Sequence, residues 1–351
     1  MVEKQKNSLT RRGAIAGTML GIGGLFGWAV TKLNETGRGA GIGQNGPKLP
    51  KSGKNPFAYD ISAYRKTDPE TLLFKPAGEF ASGFRKVHSI AITPDNELMI
   101  TGDKGIRIFG TDGTLRQEIQ LEHTPHNTHV SAAGELFVAY ARHFDVHDAK
   151  GEQLHSTERF SERSFITAMA TKADDVYVAD AGNREIILCD RMGAVKKRFG
   201  KIGASEDTPG FAVPSPYFDL AIDDQNKLRV TNPGRLRVET YSLDGKFEGS
   251  WGEPGMTIER FSGCCNPVHF TITKDGGYIT SEKGLARVKL HDADGKLLGL
   301  VAGPDFLVQD PKLAKRAGEA AGAFDVALSA DGQVHVLDPY SAKVRSFQPL
   351  G

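Results

Sequence analysis

Val176-Tyr177-Val178-Ala179-Asp180-Ala181-Gly182-Asn183-Arg184-Glu185-Ile186 reads as an apolar strand ending at an aspartate, a short polar loop, and the start of a second apolar strand, Ile186-Ile187-Leu188-Cys189-Asp190. Before it, Lys172-Ala173-Asp174-Asp175 is a tight turn. After it, Met192-Gly193 is a hairpin turn into Lys196-Lys197-Arg198-Phe199-Gly200. With the strand preceding Lys172, the unit is four strands joined by turns, and it returns six times from residue 85 onward. The equivalent first turns are Thr93-Pro94-Asp95-Asn96, Ala132-Ala133-Gly134, Asp224-Gln225-Asn226, Lys274-Asp275-Gly276 and Ala330-Asp331-Gly332. The equivalent second turns are Asp112-Gly113, Lys150-Gly151, Asp244-Gly245 and Asp294-Gly295, each suited to the left-handed backbone of a hairpin. Spacings of about 38 to 56 residues fit one four-stranded blade per repeat.

The sixth unit lacks a second turn, because the chain ends just after Ser346-Phe347-Gln348 in its third strand. Glu70-Thr71-Leu72-Leu73-Phe74-Lys75-Pro76-Ala77-Gly78 has the character of the fourth strands Phe247 to Gly252 and Leu297 to Gly303. The sequence therefore predicts that residues 70–76 complete the last blade and remove its open edge. The expected fold is all-β: a six-bladed β-propeller of four-stranded antiparallel blades, closed by an N-terminal strand and preceded by an N-terminal signal or anchor helix.

The Val176–Ile186 core resembles the NHL repeat, with Asn232 and Asp338 echoing Asp180, whereas Gly102, Tyr140 and Glu282 depart from the aspartate. The resemblance covers roughly residues 70–351. The NHL family includes scaffolds, ligand binders and lyases, so the resemblance implies a fold rather than one function.

A chain of 351 residues with 39% hydrophobic content can bury a large core, and its length suits one big repeat domain with appendages. Lys and Arg (44) balance Asp and Glu (43), leaving a net charge of +1 and no electrostatic reason to expect a nucleic-acid partner. Residues 1–31 read as a signal or membrane anchor: Lys4, Lys6, Arg11 and Arg12 precede the uncharged run Gly13 to Val30, with no clear cleavage site after it. Ser8 to Gly13 resembles a twin-arginine export signal, though the basic residue beyond the apolar pair is missing. Residues 32–60, rich in Gly, Pro, Asn and Lys, read as a flexible linker, and 61–351 as the propeller. The positive charge before the run places the propeller in the periplasm or exterior, either tethered to the membrane or exported.

In such a blade the first strand lines the central channel. Aligning the six first strands places Ser89, Asn127, Thr167, Asp219, His269 and Asp325 at one level, the expected channel mouth, and all six are polar. The longest loops open on that face: Ala204 to Pro216, Glu253 to Pro267, and a helical insert from Asp310-Pro311 through Lys312 to Ala321. A rigid scaffold with long loops on one side is how such folds display a site.

Ser262-Gly263-Cys264-Cys265-Asn266-Pro267-Val268-His269 is the most specific local pattern. Three chemistries fit it: a vicinal disulfide, thiols packed beneath a loop, or a soft metal or redox site for zinc or copper. In the last case Cys264, Cys265 and His269 would be joined by His88 and His126. The predicted binding surface at the mouth comprises Cys264, Cys265, His269, Asp219, Asp325, Glu282 and Asn127. The leading function is an exported or membrane-tethered module that captures a small ligand or partner protein there. The alternatives are a metal-dependent periplasmic enzyme or an accessory of a membrane redox complex. The NHL resemblance supplies the enzyme case, because the family includes lyases of peptidyl-hydroxyglycine with a histidine-bound zinc.

Overall fold

Short apolar runs separated by turns that reverse the chain can bury both faces of each sheet only by packing one sheet on the next. In the computed structural model, which describes residues 62–203, 208–310 and 323–351, they do so in a ring. The signal or anchor, the linker and the Lys312 to Ala321 insert lie outside the described residues. Six four-stranded antiparallel sheets follow one another around the ring. Their first strands are Val87–Ile92, Asn127–Val130, Ile166–Lys172, Leu220–Ile222, His269–Ile272 and Asp325–Leu328. Each packs against the first strand of the next blade, and the last packs back on the first, so these strands form the inner wall.

The turns behave as their residues require. Gly113 and Gly295 take φ of 83° and 82°, a region that side chains disfavour, and a Cβ at Gly295 would sit 2.1 Å from the Trp251 ring. Among the described residues the core divides into six apolar clusters, one at each interface between neighbouring blades. Tyr177 of the third blade, for example, packs with Phe211 and Tyr241 of the fourth.

Closure lies a few residues later than residues 70–76. The strand Phe74–Ala81 pairs antiparallel with Lys343–Pro349, from Phe74 opposite Pro349 to Ala81 opposite Lys343. The register slips between Pro76 and Gly78, where proline has no N–H to give the ladder. Residues 69–73 do other work. Asp68 caps the 3-10 turn Pro69–Thr71, and the Leu73 N–H donates to the Leu300 carbonyl at 2.9 Å, strapping the chain to the outer strand of the fifth blade.

The position read as the repeat's aspartate holds the loops of the mouth face. Asp180 accepts from the Phe165 N–H at 2.9 Å and the Asn183 N–H at 3.1 Å, and Asn232 accepts from the Ala212 N–H at 2.9 Å. Glu282 was expected at the channel mouth, and the structure corrects this. Glu282 is fully buried at the end of Tyr278–Glu282, between Arg287 at 2.5 Å and Lys289 at 3.0 Å. Those two cations donate in turn to the carbonyls of Met256, Thr257, Ile258 and Arg260, so the trio anchors a loop. A long acidic side chain at a position that points into the blade can be ionised only with such partners.

Candidate functional site

An aspartate at the head of an inner strand can satisfy two backbone donors at once. Asp219 accepts from the Leu220 N–H at 2.8 Å and, across the blade boundary, from the Phe270 N–H at 3.1 Å. Asp325 repeats this with the Val326 N–H at 2.8 Å and the Ile90 N–H of the first blade at 2.9 Å. His269 stands between them in the fifth blade, its Nδ1 3.5 Å from Asp219 and 3.6 Å from Asp325. These three and Asn127 line a cavity of about 240 Å³ to which all six inner strands contribute. Of the other members of the predicted ring, Ser89 is buried, and Thr167 donates to the Phe218 carbonyl at 2.6 Å.

Burial works against charge on His269, but Asp325 and Asp219 outweigh it and lift the imidazole from its ordinary value near 6.5 to about 9. Burial pushes the Asp325 carboxyl up, with His269 pulling the other way. At neutral pH the mouth therefore holds an imidazolium between two carboxyl groups. The stabilisation from a raised histidine is complete below about pH 6.5 and is lost as pH rises through about 9. His269→Gln is expected to cost about 3 kcal/mol near pH 6 and little above pH 10. Urea unfolding at both pH values checks this, and a cost independent of pH would count against a charged His269.

The flank of this trio was not visible in the sequence. The Tyr217 ring meets His269 edge-on at 5.9 Å, and the Lys283 ammonium lies 4.8 Å above Tyr217 and 3.1 Å from the Ser215 hydroxyl. Tyr217 lies two residues before Asp219, and Lys283 directly follows Glu282. Their places in the chain beside residues read as mouth candidates gave the only hint. The cysteine loop joins here through Asn266, whose side chain donates to the Ser262 and Lys283 carbonyls at 2.6 and 3.0 Å and accepts from the Lys283 N–H at 2.9 Å. The Cys264 and Cys265 sulfurs are 3.3 Å apart; Cys264 is exposed and Cys265 buried, and both are free thiols.

His88 and His126 form a separate group. Their rings stack at 6.4 Å, and His126 packs on Phe165 at 4.8 Å. Burial, reinforced by Lys86, lowers both, His88 to about 4, so they are neutral imidazoles at pH 7. His88 Nε2, His126 Nδ1 and the Ser89 hydroxyl are buried without a hydrogen-bond partner. The five residues expected to share zinc or copper are thus divided: His88 and His126 stand at the heads of the first two inner strands, Cys264 and Cys265 in the loop before the fifth, and His269 at that strand's first position. Among the described residues, no three His, Cys, Asp or Glu side chains stand where they could hold a metal ion.

A closed ring of six four-stranded blades around a polar mouth defines the class, a six-bladed β-propeller. Within it the chain is similar to streptogramin B lyase (TM-score 0.53, 13% identity, 79% of this chain and 98% of that one). It is also similar to virginiamycin B lyase from Staphylococcus aureus (TM-score 0.53, 12% identity, 79% and 100%). A third similar structure is a catalytically inactive histidine-to-alanine variant of the latter enzyme with quinupristin (TM-score 0.52, 12% identity, 78% and 85%). Identities this low establish the shared fold alone. No family model and no curated protein matches the sequence.

Proposed function

We propose that this chain is a propeller of the NHL kind, tethered to the membrane or exported through its N-terminal segment, that binds a small polar ligand or a partner's polar segment at the channel mouth. The observation that carries the reading is His269, held as a cation between Asp219 and Asp325 at the wall of the 240 Å³ cavity. Carboxyl oxygens directed there by backbone N–H groups, with an imidazolium between them, form a preorganised polar site on a rigid scaffold. Basic residues before the apolar run Gly13 to Val30 support the tether.

Native mass spectrometry of the full-length protein, purified from the membrane fraction of its source cells, tests both parts. A stoichiometric adduct on the wild type that is lost in Asp219→Asn/Asp325→Asn is expected. Equal adducts on both proteins, or none, would overturn the binding reading, and absence from the membrane fraction together with a cytoplasmic pool would overturn the tether. A lyase is the second reading, favoured by a histidine at the mouth of a fold shared with an enzyme that a histidine-to-alanine change inactivates. At neutral pH His269 is equipped to donate a proton; as a base it would need a pH near 9. Conversion of quinupristin by the wild type but not by His269→Ala would select this reading over simple binding.

A further inference from the structure

The vicinal cysteines have a geometry that the binding reading does not use. Their sulfurs are 3.3 Å apart, one open to solvent and one 3% exposed beneath it. An incoming disulfide can therefore reach Cys264 only, and Cys265 stands within reach to displace whatever becomes attached. Adjacent Cα atoms lie about 3.8 Å apart across a trans peptide, closer than the roughly 4.4 Å minimum usual for a disulfide. A bond between these sulfurs is strained, and strained disulfides are the readily reduced ones. Cys189, the third cysteine, is a contrast: it is fully buried in a blade and its thiol is pushed up to about 12, chiefly by burial.

The loop also has a mechanical route to the mouth. Asn266 follows Cys265 directly and grips both the N–H and the carbonyl of Lys283, at 2.9 and 3.0 Å. Lys283 lies over Tyr217, and Tyr217 touches His269 edge-on. Closing the eight-membered ring must rotate the peptide between Cys264 and Cys265, one residue from the side chain that holds Lys283.

We propose that Cys264 and Cys265 are a thiol–disulfide exchange site, oxidised reversibly by a low-molecular-weight disulfide, whose closure moves the Lys283 and Tyr217 flank of the channel mouth. In the first step the Cys264 thiolate attacks the disulfide RS–SR, forming Cys264–S–SR and releasing RS⁻. In the second, the Cys265 thiolate attacks the Cys264 sulfur, forming the vicinal bond and releasing the second RS⁻. The two cysteine protons end on the two released thiols, so one dithiol is oxidised and one disulfide is reduced. The Cys264 thiol is held up by its hydrogen bond with Cys265 and by burial, with Lys283 pulling it down, so the first step accelerates as pH rises.

Only the coupling to the mouth rests on the binding reading; the exchange chemistry stands apart from it. The test treats the full-length protein with glutathione disulfide and follows intact mass, then the His269 ring resonances by NMR. The wild type is expected to end two hydrogen atoms lighter, with no adduct retained, and to recover its mass on addition of a dithiol reductant. Cys265→Ser should stop as the Cys264–glutathione adduct, and Cys264→Ser should not react. The His269 resonances should shift between the reduced and closed forms. A persistent adduct on the wild type, or no reaction, would overturn the exchange site. A closed pair with unmoved His269 resonances would overturn the coupling, and loss of ligand binding on other grounds would leave the mass result intact.

Discussion

A chain that begins at residue 82 is expected to melt on the order of 10 °C or more below one that begins at residue 62. The shorter chain loses the whole pairing of Phe74–Ala81 with Lys343–Pro349. It also loses Phe74 from the cluster containing Val334, Val336 and Phe347, and Phe80 from the cluster between the first and last blades. Burying one phenylalanine contributes roughly 1.5–3 kcal/mol, and each ladder hydrogen bond adds about 1 kcal/mol. The deletion also bares the edge of Lys343–Pro349, so concentration-dependent association should accompany the loss of stability. Calorimetry of the two chains checks this. Equal melting temperatures would mean that the ring is held by the interfaces between blades alone.

Glu282→Ala is expected to be the most damaging single substitution among the residues read from the sequence as site candidates. Glu282, Arg287 and Lys289 have side-chain exposures of 0%, 2% and 0%, so removing the carboxylate strands two cations in the interior. Breaking a buried pair in this way costs about 3–5 kcal/mol, whereas an exposed pair is worth less than about 1 kcal/mol. Burial already lowers the Lys289 ammonium, and Glu282 is the first group opposing that shift. Chemical denaturation of Glu282→Ala should show the larger loss, together with faster proteolysis in the Met256 to Arg260 loop whose carbonyls these cations hold. A loss below about 1 kcal/mol would mean that the trio is solvated.

Much of the fold was legible because its signals are local. Alternating apolar runs, Asp-Gly hairpin turns and the recurrence of both specify four-stranded blades, and a third strand left without a partner at the C-terminus implies a donor near the N-terminus. The donor's position was read four residues early, at 70–76 rather than Phe74–Ala81, because apolar character does not distinguish a blade strand from a strap. The alignment of inner strands put Asp219, His269, Asp325 and Asn127 at one level, and these four residues line one cavity.

What the sequence determined by itself was the repeat, the turns, the need for closure and the level at which polar side chains face the channel, all consequences of the two-residue period of a strand and the backbone demands of its turns. The tertiary structure decided which of those side chains meet. Asp219, His269 and Asp325 come from three blades and touch only because the blades pack at one register. Glu282 turns inward to two cations instead of reaching the mouth. Lys283, its neighbour in the chain, reaches Tyr217 from another blade. Such contacts depend on how sheets distant in the chain settle against one another, a matter of close packing across interfaces that no local pattern of residues encodes.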